Sequence, residues 1–270
     1  MNLRVPDTLT SANSGKYTVS IRLWPGGLSF AGLIPAEKDS FFYTETVIDK
    51  SKSYLASIKD IFFALPCLTF AYQHINVICA NRQYTLTPAT IFAENQQKEM
   101  MSFVFSSPDA KTLHERLDEL DCEILFGIQP EVHEFLSHTF LRPVFTHAIT
   151  LMLNVWRNIS LTAFPKQLYV ALHENTMDTA CFYRENLLFV NSFQFDDPAD
   201  IIYYILYIWK QTGLDQQKDK LVVYANIRLS QAIQETIQTY LLQTEFVQPQ
   251  LTGSGLEVPP DITALFKCES

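Results

Sequence analysis

The sequence predicts an α/β protein made of two copies of one βββαβαβ unit, each with a mixed sheet. Two observations support this fold class. Three short strands separated by turns open each half of the chain, and helices then alternate with single strands. Hairpin-linked strands pair antiparallel, whereas strands joined by a helix pair parallel, so each half should form one mixed sheet. The repeat rests on the order of the elements, because the halves share no residue-level identity.

The composition excludes several function classes. The chain has 270 residues, of which 47% are hydrophobic and 18% charged, enough apolar material for two domains. Its net charge of −9 includes no basic cluster, so we expect no nucleic-acid binding. The apolar runs are shorter than the roughly 20 residues that span a bilayer. Five cysteines without a C-x-x-C pair, and a polar N-terminus, predict a cytoplasmic protein without membrane insertion.

The first half is predicted to form a lobe over residues 1–141. It opens with three strands, a helix and a buried strand, at 17–24, 28–34, 41–47, 51–65 and 74–80. A less regular insertion covers about 84–121. Within it we predict a helix start, a short strand and a charged amphipathic helix, at 87–88, 103–105 and 109–120. A strand at 122–128 and a helix at 130–140 complete the lobe.

The second half repeats this order over residues 142–270. A long helix at 143–157 comes first. The remaining predicted elements are three strands, a helix, a strand, a helix and a short strand, at 167–172, 176–183, 187–193, 198–212, 221–224, 230–242 and 245–247. The helix at 198–212 has the clearest start, because Asp196 or Asp197 can cap it and Pro198 suits its first turn.

Several residues in both halves carry a resemblance to a known family. They are Tyr84-Thr-Leu-Thr-Pro88, Ile91-Phe92, His147, Asn186-Leu-Leu188, Asn191, Phe193, Asp200 and Tyr203-Tyr204. With them the chain resembles a bacterial family of uncharacterised proteins assigned the actin-like, ribonuclease-H-like ATPase fold. That family is similar to pilus-assembly and type II secretion proteins that use this fold to dock partners. The resemblance implies a fold and does not imply a reaction.

The parts that an active ATPase of this fold requires depart from the expected pattern. Active members use an Asp-x-Gly hairpin in each half and a glycine-rich adenosine-binding turn. Here the hairpin at 21–27 keeps Gly26 and Gly27 but has no aspartate, and neither the second hairpin at 172–178 nor the turn at 224–227 has a glycine. Only 8 glycines occur in the whole chain. We therefore expect no catalytic residues, and ATP with magnesium is neither expected nor excluded.

The leading hypothesis is a non-catalytic scaffold or adaptor that acts through protein–protein contacts. A helical wheel places Tyr203 and Tyr207 together, opposite the apolar face of the helix at 198–212. Exposed paired tyrosines are typical of partner contacts. A homodimer contact, or burial beneath another element of the chain, would account for the pair as well.

The alternative hypothesis is an enzyme or sensor that binds a nucleotide or small phosphorylated ligand in an interdomain cleft through non-standard residues. The candidates are Arg22, Trp24, His173, Asn175 and Asp178. Turn formation explains Asn175 and Asp178 equally well. We predict no metal site. His133 and His138 are five residues apart, which separates them by roughly 140° around a helix and rules out a zinc-protease helix.

Overall fold

The computed structural model describes residues 5–106, 110–163, 165–250 and 257–268. The chain forms two compact units, which meet in sequence between Thr150 and Leu151. The boundary expected from the sequence lies earlier, after residue 141. The division falls within one helix, which begins at Ala148.

The described residues of the first unit up to residue 147 form eight strands and three α-helices. In chain order they are β1 (Thr18–Trp24), β2 (Gly27–Ile34), β3 (Glu37–Val47), α1 (Tyr54–Ala64), β4 (His74–Cys79), β5 (Tyr84–Pro88), α2 (Gln97–Val104), β6 (Lys111–Leu117), β7 (Cys122–Ile128), α3 (Pro130–Thr139) and β8 (Val144–His147). Five of them form the main sheet, in the order β3-β2-β1-β4-β8. β1 pairs antiparallel with β2 and parallel with β4, so the sheet is mixed as predicted.

The insertion of the first unit differs from the prediction. β5, β7 and β6 form a separate antiparallel sheet, so the insertion extends through residue 128. The helix predicted at 109–120 was wrong over 111–117, which form β6, while 118–120 form a short 3-10 helix; residue 109 lies outside the described residues. Pairing with β7 overrides the helical propensity of this charged segment. The strand predicted at 103–105 was also wrong, because α2 runs through residue 104, and Pro88 ends β5 instead of starting a helix.

The long helix predicted at 143–157 begins later than expected. Residues 144–147 form β8, which pairs with β4, and the helix α4 (Ala148–Ser160) follows. His147 marks the start of α4, because its Nδ1 accepts a hydrogen bond from the backbone N–H of Ile149. An acceptor at this place satisfies an amide that the helix leaves without a partner.

The second unit repeats the order of the first. After α4 come β9 (Gln167–His173), β10 (Thr176–Tyr183), β11 (Asn186–Gln194), α5 (Pro198–Gln211), β12 (Lys220–Tyr224), α6 (Ile227–Tyr240), β13 (Thr244–Val247) and α7 (Pro260–Cys268). The sheet order β11-β10-β9-β12-β13 matches that of the first main sheet strand for strand. Its core includes Leu168, Val170, Ile205, Trp209, Val223 and Ile233. The duplicated βββαβαβ order is confirmed.

Candidate functional site

The first hairpin joins β1 to β2 and buries its two predicted candidates. Arg22 is only 1% exposed, and its guanidinium carbon lies 5.4 Å from the centre of the Trp24 ring. Burial raises the pKa of the nearby Tyr43 and Tyr54 hydroxyls, while the charge of Arg22 acts to lower both. Arg22 is thus a buried cation of the sheet, and Trp24 lies above it.

Gly27 has a packing role in this hairpin. A Cβ added at Gly27 would lie 2.4 Å from the Thr46 carbonyl oxygen and 2.4 Å from the Trp24 ring. The lack of a side chain therefore lets the Trp24 ring and the β3 backbone approach closely. This packing accounts for the glycine without any phosphate ligand.

A cavity of about 610 Å³ lies beside the same hairpin, within the first unit. Its apolar wall includes Leu23, Trp24 and Tyr54. Its polar lining residues are the amides Asn81, Gln83 and Gln129 and the charged Arg82 and Glu131. This volume falls within the range of small-molecule sites. Trp24 is the residue that sequence analysis singled out here, and Arg22 is not among the residues that line the cavity.

In the second unit, the β9–β10 hairpin brings two predicted residues together, and β11 adds a third. His173 Nε2 lies 3.0 Å from Asp178 Oδ2, and both side chains are buried. The Ser192 hydroxyl donates to the other oxygen of Asp178. Asp178 and Ser192 are direct partners in the β10–β11 register, so the hairpin alignment was the signal that could have predicted Ser192.

Asn175 has a turn role in the same hairpin. The Asn175 side chain is exposed, and the backbone carbonyl oxygen of Asn175 accepts a hydrogen bond from Phe195 N at 3.0 Å. Glu174 beside it has a φ of 33°, in the left-handed region where glycine is the usual residue. Of the five cleft candidates, Arg22 and Trp24 thus belong to the first unit, and His173, Asn175 and Asp178 belong to the second.

The N-terminus of α6 corresponds to the turn where a glycine-rich adenosine site was sought. The helix begins at Ile227, three residues before the predicted start. Asn226 caps it by accepting from Leu229 N, and Glu257 Oε1 accepts from Ile227 N at 2.9 Å. Acceptors from the chain itself, one of them a carboxylate, therefore satisfy amides that an anionic ligand would otherwise use.

The outer face of α5 carries Tyr203 and Tyr207, as predicted from the helical wheel. Their side chains are 62% and 48% exposed, and the rings are nearly parallel with centroids 6.1 Å apart. Tyr204 lies between this pair and the sheet, because its ring stacks on Phe193 of β11 at 4.6 Å. The opposite side of α5 is buried through Ile201, Ile205, Ile208 and Trp209.

A half-buried carboxylate in the first unit, Glu115, was not predicted from the sequence. Glu115 of β6 accepts hydrogen bonds from the Thr146 hydroxyl at 2.9 Å and from His147 N at 3.4 Å. Burial raises the pKa of Glu115, although these hydrogen bonds act in the opposite direction. Burial likewise raises the pKa of the Cys79 thiol to about 12. Cys79 is therefore not activated as a nucleophile.

Two further classes of site are not found in the described part of the chain. No three His, Cys, Asp or Glu side chains there form a group that could hold a metal ion. None of its helices has both the length and the apolar character needed to cross a membrane.

The sequence from residue 6 to residue 243 matches a family model described as a protein of unknown function, DUF3822. The chain belongs to this family. The curated proteins include none that match the chain. The resemblance to an uncharacterised family with an actin-like fold is confirmed, and DUF3822 membership assigns no activity.

Solved structures similar to this DUF3822 chain share its fold. One is a Bacteroides thetaiotaomicron protein with an actin-like ATPase fold and unknown function, which is 25% identical to this chain. The two superpose with a TM-score of 0.84, and the match covers 98% of this chain and 100% of the other. The PilM–PilN type IV pilus biogenesis complex matches at 11% identity and a TM-score of 0.51, over 94% of this chain and 98% of that chain. The actin-like ATPase fold is therefore confirmed.

Proposed function

We propose that this protein is a non-catalytic, actin-like adaptor that binds a protein partner through the outer face of α5. The observation that carries the proposal is the pair of exposed, stacked tyrosines Tyr203 and Tyr207 on a helix whose other side is buried. Tyrosine offers apolar area together with a hydrogen-bonding tip, which suits a surface that is wet when free and covered when bound.

The absence of ATPase parts from the sequence supports the non-catalytic half of the proposal. Gly27 leaves room for the Trp24 ring, and the Glu257 carboxylate accepts a hydrogen bond from the first backbone N–H of α6. The second hairpin places Glu174 where a glycine would give a flexible phosphate-binding turn. The first two places have a role in holding the fold, and neither role requires a nucleotide.

Phosphate release from Mg-ATP tests the lack of catalysis. We expect no release above that of buffer from the purified chain. Release that persists through purification and disappears in Asp178→Asn would overturn the proposal, because it would assign catalysis to the second hairpin. Asp196→Asn is the matched control, since Asp196 is an exposed carboxylate in the same unit.

The partner contact is tested by capture from the native cell. We expect the wild-type chain to retain a protein that Tyr203→Ser/Tyr207→Ser loses and that Tyr240→Ser keeps. Tyr240 is a fitting control because it is 49% exposed on α6, close to the exposure of Tyr207. Retention of the same proteins by the double variant would contradict a role for this face.

Four cysteines among the described residues are buried free thiols, which favours a reducing compartment. They are Cys67, Cys79, Cys122 and Cys181. Reduced thiols persist in the cytoplasm, so we propose that the adaptor acts there.

The cavity of about 610 Å³ beside Trp24 favours a second candidate function, a sensor of a small ligand. Its flat aromatic wall and amide groups suit a planar, polar molecule. A compound that raises the melting temperature of the wild type should lose that effect in Gln83→Ala, since Gln83 lines the cavity. An unchanged shift in this variant would exclude the cavity as the binding place.

A further inference from the structure

The tyrosine face of α5, defined as Tyr203 and Tyr207, is held in place by a row of aromatic rings. Phe193 in β11 stacks on Tyr204 at 4.6 Å, and Tyr204 meets Tyr203 edge-on at 5.4 Å. The Tyr203 and Tyr207 rings follow with an interplanar angle of 18°. Because the inner rings pack against the sheet, the outer pair is positioned before any partner arrives, which lowers the entropy cost of binding.

The charges around the tyrosine face are mainly negative. Asp196 and Asp197 are exposed carboxylates just before α5, and Asp200 lies on the same stripe of the helix as the two rings. Lys210 is exposed on the same stripe, three residues after Tyr207, so one cation stands at the other end of the rings against three carboxylates. The neighbouring strand β11 has no charged residue in nine positions. A cation would therefore find carboxylates at one end of the rings and a neutral strand beside them.

We propose that the tyrosine face binds an arginine- or lysine-bearing segment of the partner protein, with the cation over the ring pair. Aromatic faces attract guanidinium and ammonium groups through the ring quadrupole. A neighbouring basic side chain of the segment would lie near Asp196 and Asp197, where opposite charges raise the association rate. This inference rests on the proposed adaptor function and names the chemistry of its partner.

Charge disfavours a second copy of the chain as the occupant. Each copy has a net charge of −9, and a two-fold contact would bring the exposed Asp196 and Asp197 of both copies to the same interface. Addition of a strand to β11 is also disfavoured. The Ser192 N–H already donates to the Asn191 side chain at 2.9 Å, so this donor is not available to an added strand.

The experiment measures binding of a labelled ten-residue peptide that alternates arginine and threonine, by fluorescence anisotropy at physiological salt. Its comparison peptide carries glutamate in place of arginine. We expect the arginine peptide to bind the wild type, and Tyr203→Ala/Tyr207→Ala to weaken it about 3- to 30-fold, the range typical of cation–π contacts. Tyr203→Phe/Tyr207→Phe should keep the affinity because it keeps the rings, and Tyr240→Ala is the matched surface control.

Three results would overturn the inference. They are no binding of the arginine peptide, equal affinity for the wild type and the double alanine variant, or a dimer in sedimentation that the double alanine variant abolishes. The last result would assign the face to a second copy. Failure here is separate from failure of the adaptor function, because capture of a partner through this face and the lack of phosphate release are measured without the peptide.

Discussion

Gly27 shows at the scale of one residue how a feature typical of nucleotide sites can have a structural cause. Its missing side chain leaves room for the Trp24 ring and the Thr46 carbonyl. We expect Gly27→Ala to lower the free energy of unfolding by about 1–3 kcal/mol, the usual cost of overpacking. Urea denaturation measures the change. Gly15→Ala is the control, because a Cβ there meets nothing within 4 Å, and equal losses in both variants would refute the packing role.

Glu115 gives a second prediction at this scale. Its native pKa is raised by burial above the ordinary value of 4.5, so the native state binds the proton more tightly than the unfolded state does. The stabilisation is present below pH 4.5 and is lost as the pH rises through the native pKa. The wild type should therefore lose stability relative to Glu115→Gln as the pH rises above 4.5, in chemical denaturation at several pH values.

The control for this prediction is Glu235→Gln, which changes an exposed carboxylate on α6. A constant difference between the wild type and Glu115→Gln across this pH range would contradict the assigned burial effect.

Glu115 also explains why the β6 segment was predicted as a helix. Leu113, Glu115 and Leu117 alternate along one side of the strand, and a carboxylate at the middle position hides the apolar period of two.

At the scale of one element, α5 is the helix that the sequence predicts best. Asp197 caps it by accepting from Ala199 N and Asp200 N, and Pro198 occupies its first turn, as expected. Sequence analysis could identify these features because capping depends on neighbouring residues. The strand at 144–147 could not be identified in this way, because the distant strand β4 supplies its hydrogen bonds.

The cap of α5 provides a prediction at this scale. Asp197→Ala should lower the free energy of unfolding by about 0.5–2 kcal/mol, the usual cost of losing an N-cap. Asp196→Ala removes an equal charge one residue earlier, and should change stability by less than about 0.5 kcal/mol. Thermal unfolding of the two variants compares them directly. Equal losses of stability in Asp197→Ala and Asp196→Ala would contradict the prediction, because they would assign the effect to the lost charge and not to the N-cap.

At the scale of the molecule, the repeated order of elements was enough to predict the duplicated fold, because local patterns define most strands and helices. The candidate site was predicted in part. The helical period located Tyr203 and Tyr207 on the outside of α5, and the β10–β11 hairpin alignment could have indicated Ser192. Gln83 and Glu257, in contrast, depend on contacts between residues far apart in sequence. No short-range pattern predicts such contacts.

The adaptor account depends most directly on whether the chain binds nucleotide. The decisive measurement is the melting temperature of the wild-type chain with and without millimolar Mg-ATP, with magnesium alone as the control. We predict the same melting temperature in all three conditions, since the Trp24 ring fills the space at Gly27 in the first hairpin and Glu257 accepts from the first amide of α6. A clear rise with Mg-ATP alone would contradict the account, because a ligand that prefers the native state must stabilise it.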